Sequence, residues 1–112
     1  MIAIDTLVHN WMYRTGILQE HGAEHAYGPR CYAPGGCADL IEEAAQVIDA
    51  RVLNHSYPAV FPRLVQVAIW RFCAERGFNF CNGNRIDDRA PCQRQACPFW
   101  SECHHVPLKP AA

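Results

Sequence analysis

The sequence predicts a small all-α domain whose C-terminal loop is held by cysteine ligation of a metal cluster. Three observations lead there. Three stretches place apolar residues at helical spacing, and none alternates as a strand would. The 112 residues are half apolar and 19% charged, enough for one core and too few for two. Four of the seven cysteines fall in the segment Cys81-NGNRIDDRAP-Cys92-QRQA-Cys97-PFWSE-Cys103, which has no hydrophobic period. Burial cannot shape such a segment, but thiolate–metal bonds can.

Residues 1–112 are read as a single domain: helices to residue 80 with an inserted loop at about 19–37, a cluster loop over 81–103, and a tail over 104–112. The first helix is expected over residues 5–18, with Asp5 as N-cap and Leu7, Val8, Trp11, Met12, Thr15 and Leu18 on one face. Gly16 weakens its last turn. The connector to Cys37 is long for so small a domain, which suggests an insertion with its own purpose. A second helix is expected from Ala38 or Asp39 to Ala50, apolar through Leu40, Ile41, Ala44, Ala45 and Ile48. Residues 51–61 read as loop. Pro62 opens a third helix with an apolar stripe of Leu64, Val65, Ala68, Ile69, Phe72 and Cys73, and Gly77 is its stop.

No basic, apolar leader precedes the cysteines and no apolar run is long enough to cross a bilayer, so a cytoplasmic chain without membrane contact is expected. In a reducing compartment clustered cysteines argue for metal rather than disulfides. The four C-terminal thiols, spaced Cys-x10-Cys-x4-Cys-x5-Cys, do not form the two close pairs of a zinc ribbon. A 4Fe-4S cluster tolerates such irregular loops and is the first expectation for Cys81, Cys92, Cys97 and Cys103, with zinc the alternative. His21, His25, Cys31 and Cys37 form a second candidate metal site among flexible glycines and prolines. Cys73 reads as a core residue. His104 and His105 read as solvent-exposed or phosphate-contacting residues.

The net charge of −1 carries no sign of nucleic-acid binding, but its distribution is uneven. Arg63, Arg71, Arg76, Arg85, Arg89 and Arg94 face only Glu75, Asp87 and Asp88 over the same span. This is either a phosphate-facing surface or a solvated face with internal ion pairs.

The frame IAIDTLVHNWMYRTG, the run APGG…LIEEAAQVI, the entry GFNF-Cys81 and the closing Cys97-PFWSE-Cys103 resemble, in order, the C-terminal half of the endonuclease III and adenine glycosylase superfamily. The first two cysteine gaps are wider than that family's, and about Ile17 to Tyr32 looks inserted. The chain begins where the family's helix-hairpin-helix ends. The resemblance implies an iron–sulfur, DNA-binding, base-excision repair protein whose missing lobe comes from a protein partner or a second copy. It implies Asp5 as the residue beside a flipped nucleotide, stabilising positive charge or activating a water; an N-cap role is the plain alternative. The Schiff-base lysine has no counterpart, since the single lysine is Lys109 in the tail. Arg85, Arg89 and Arg94 would meet DNA phosphates. The rival expectation is a non-catalytic metal-binding interaction module, zinc or iron–sulfur.

Overall fold

A computed structural model describes residues 2–82 and 89–108. Four α-helices follow in order: α1 (Thr6–Arg14), α2 (Ile17–Glu20), α3 (Cys37–Gln46) and α4 (Pro62–Cys73). Short 3-10 turns lie at Pro29–Tyr32 and Ala50–Val52. Among the described residues there is no strand, as an all-α class requires.

Helix α1 starts because the Asp5 carboxylate accepts from the Val8 amide at 2.9 Å. It ends earlier than the apolar period suggests. Gly16 sits at φ +89°, a left-handed conformation that breaks the ladder and starts α2 on a new axis. The tail exploits the break. His104 N donates to Thr15 O at 3.0 Å and Val106 N to Arg14 O at 2.8 Å, so the end of the chain occupies carbonyls that the broken helix leaves open.

Helix α3 also ends short of the expected Ala50. Asp49 instead caps the next turn, accepting from Arg51 N at 3.0 Å. Ala50 is then buried, with its amide on Ala59 O. Helix α4 packs against α1 and α3. Beyond Cys73 the chain doubles back: Phe78 N reaches Arg71 O at 2.7 Å and Phe80 N reaches Phe72 O at 2.9 Å. Gly77 belongs to this return, where a side chain would collide with the Arg71 carbonyl. The Phe72 and Phe80 rings stack at 5.1 Å, and the turn delivers Cys81 beside Cys73.

The core joins Ile2, Ile4, Val8, Met12, Leu18, Ile41 and Ile69 with Cys31, Cys37, Cys73 and Cys81. The α4 stripe is only partly covered. Ile69 and Cys73 are buried, whereas Ala68 is exposed and Leu64, Val65 and Phe72 are half-buried. No helix of the described chain is long and apolar enough to cross a membrane.

Candidate metal centres

Cys81, Cys92, Cys97 and Cys103 line one cavity, walled by Trp11, Phe72, Phe80, Phe99 and Trp100. Four different devices bring them there. The return after α4 places Cys81. Arg94 fastens the middle of the loop, its Nη1 donating to Asn79 O at 2.8 Å and Phe80 O at 2.9 Å. Phe99 packs edge-on to Trp11 and Phe72, seating the turn between Cys97 and Cys103. The tail's pairing with α1 holds Cys103 itself.

Each of the four sulfurs meets an N–H donor. Arg94 N lies 3.4 Å from Cys92 Sγ and His105 N lies 3.3 Å from Cys103 Sγ. The Phe99 amide serves Cys97. Arg14 Nη1 donates to Cys81 at 3.7 Å. Three of these donors sit two residues after their cysteine, a local turn that aims an amide at the sulfur it follows. Such donors favour the thiolate over the thiol.

Burial raises Cys97 and Cys103 above the ordinary thiol range, with the Phe99 and His105 amides and neighbouring thiols as smaller influences. Cys81 is drawn down, first by a hydrogen bond from Cys73 and then, against burial, by Arg14. Cys73 stays protonated, held by that bond to Cys81 and by burial. It is therefore a core residue that also donates to a site cysteine.

The second group is His9, His25 and Cys31, whose ligand atoms all lie within 4.8 Å of one another. Among the described residues it is the one such trio of His, Cys, Asp or Glu. Cys37 lies outside that trio but beside it, its Sγ 3.6 Å from His25 Nε2. All four residues are buried. Burial, with Cys31 alongside, pushes the Cys37 thiol up to about 12. In that interior the Cys37 thiol resists ionisation unless a cation joins it.

His21, paired with these residues by sequence spacing, is exposed at the end of α2 and is not brought to them. His9 takes that place because it lies on the buried side of α1, beneath the connector. The available signal was a histidine beside Val8 on the apolar face of the first helix.

Asp5 is half-buried, and its Oδ1 is engaged at the N-cap. Arg94 spends Nη1 on the loop, Arg89 is exposed, and Arg85 lies outside the described residues, as does Lys109. His104 is exposed and pairs with Glu20 at 3.0 Å. His105 stacks on Trp100 at 4.0 Å and borders the cysteine cavity, so it is not a solvent-facing residue. Comparison with protein-family models, curated proteins and solved structures found no match to this chain.

Proposed function

We propose that this chain is an iron–sulfur protein that binds DNA, related to the base-excision glycosylases its sequence resembles. One observation carries the metal part: the four thiols of the Cys81–Cys103 segment line one cavity, each with an N–H donor. Hydrogen bonds to the sulfurs are what tune iron–sulfur centres.

The sequence spacing favours a cluster over zinc, because Cys-x10-Cys-x4-Cys-x5-Cys offers none of the close cysteine pairs that zinc knuckles use. The buried Arg14 supplies positive charge against the thiolates, and the five aromatic side chains limit solvent access. When bound, the cluster would cross-link the loop; Cys81, Cys92, Cys97 and Cys103 would hold it, and Arg14 and the amides would position them.

DNA binding draws on the exposed arginines Arg63, Arg71, Arg76 and Arg89 together with the resemblance. The partner proposal draws on an apolar groove of about 330 Å³ bordered by Leu53, Leu64, Val65, Ala68 and Phe78. Asp5 is the residue on which glycosylase chemistry would depend. Its N-cap role favours the second reading, a metal-bearing interaction module without catalysis.

The test is an anaerobic preparation of the full chain. A broad absorption near roughly 400 nm with about four irons per chain supports the cluster. Colourless material carrying only zinc would overturn it. Salt-dependent binding to duplex DNA with base release lost in Asp5→Asn would support the glycosylase reading; binding without release at any lesion leaves the interaction module.

A further inference from the structure

We infer that the connector between α2 and α3 is folded around a zinc ion held by His9, His25, Cys31 and Cys37. The burial pattern comes first. Between residues 19 and 37 the buried positions are His25, Cys31, Gly36 and Cys37, without one large aliphatic or aromatic side chain. A segment of that length with no large apolar anchor and little regular structure needs another source of order. Its would-be ligands are the groups that point inward.

The contacts about His25 fit a tetrahedral N/S site. With Zn–N near 2.0 Å and Zn–S near 2.3 Å, a nitrogen and a sulfur ligand stand roughly 3.5 Å apart. His25 Nε2 lies 3.3 Å from Cys31 Sγ and 3.6 Å from Cys37 Sγ. The imidazole of His25 is already set for ligation. Its Nδ1 lies 2.6 Å from the Ala23 carbonyl, which takes the ring proton and leaves the Nε2 lone pair facing the two thiols. His9 Nδ1 lies 3.0 Å from Asn10 Oδ1, and its Nε2 lies 2.9 Å from His25 O. Zinc would replace the second of these bonds and keep the first as the orienting one.

On binding, the two thiol protons leave to solvent and two neutral imidazoles complete the set. Four protein ligands leave no open position, so the ion is structural: it ties α1 to the first turn of α3 through the inserted loop. Gly36 belongs to the same design, since a Cβ there would strike the Arg30 carbonyl and open the Cys31–Cys37 turn.

The experiment is metal analysis of the purified full chain, with iron and zinc counted separately. About one zinc per chain is expected, lost at least tenfold in Cys31→Ser and His9→Ala while iron and colour remain. His21→Ala should keep its zinc. Cys97→Ser should do the reverse of Cys31→Ser, removing the C-terminal metal and sparing this one, so the two centres fail independently. Because a variant can fail to fold, cobalt exchange on the unaltered chain is the second measurement. Tetrahedral d–d bands with thiolate-to-cobalt charge transfer are expected. Zinc content indifferent to Cys31 and His9, or Cys31 and Cys37 recovered as free thiols or joined to each other in metal-replete protein, would overturn the inference.

Discussion

Arg14 Nη1 donates to Cys81 Sγ at 3.7 Å across 67 residues of sequence, and both residues are buried. A helix cation thus meets a thiol that the return after α4 delivers, in a place where neither group has water to fall back on. Arg14→Ala should destabilise the metal-loaded protein by about 3 kcal/mol, the order of cost for leaving a buried charge unmatched. Arg14→Lys should recover part of the loss. Denaturant midpoints of the coloured protein read both.

Gly16 carries two constraints at once: φ of +89°, and the His104 ring only 2.6 Å from where a Cβ would stand. Gly16→Ala should cost about 2 kcal/mol from backbone strain and displacement of the tail. Displacing the tail also displaces Cys103. The variant should therefore lose iron as well as thermal stability, which a purely local strain would not cause.

Cys73→Ala is expected to separate a ligand from a donor. Cys73 keeps its proton and donates a hydrogen bond to Cys81, but does not line the cavity. Iron content should stay near that of the unaltered chain while the reduction potential shifts, as removal of a hydrogen bond to a ligating sulfur predicts. Loss of iron equal to that of Cys81→Ser would place Cys73 among the ligands instead.

Two arginines should behave differently on DNA. Arg89→Ala, at an exposed position, should weaken binding and reduce the salt slope by about one, with colour unchanged. Arg94→Ala releases the Asn79 and Phe80 carbonyls and should lower iron occupancy together with DNA affinity. Salt titrations paired with iron analysis distinguish these outcomes.

Acid should act on the metal centres before it acts on carboxylates. The Arg51 hydrogen bonds hold Asp49 below its ordinary value of 3.8. A depressed carboxylate contributes above that ordinary value and loses its contribution as pH falls through the lowered one. The Ala50–Val52 turn should thus persist to about pH 4. Structure lost between about pH 7 and 5 should coincide with metal release, because protons compete for the thiolates. Circular dichroism and metal release followed on one sample provide the check.

Much of the fold was legible because it depends on neighbours in sequence. Asp5 as a cap, Pro62 at a helix start, and the apolar rows of α1, α3 and α4 follow from local spacing. The end of α1 was not legible, although Gly16 flagged it. Gly16 breaks the helix there, and what completes the end is the tail, whose amides take the carbonyls of Arg14 and Thr15 from about ninety residues away.

The same division runs through the sites. Cysteine count and spacing alone grouped Cys81, Cys92, Cys97 and Cys103, since a loop without a hydrophobic period needs some other tie. Only the tertiary structure decided what surrounds them, bringing Arg14 from one helix and amides from three turns. It also brings His9, and not His21, beside His25 and Cys31, because such a grouping is a matter of distance between atoms. Sequence spacing measures that distance only within a turn or a helix, and His9 reaches Cys31 through a packed interior.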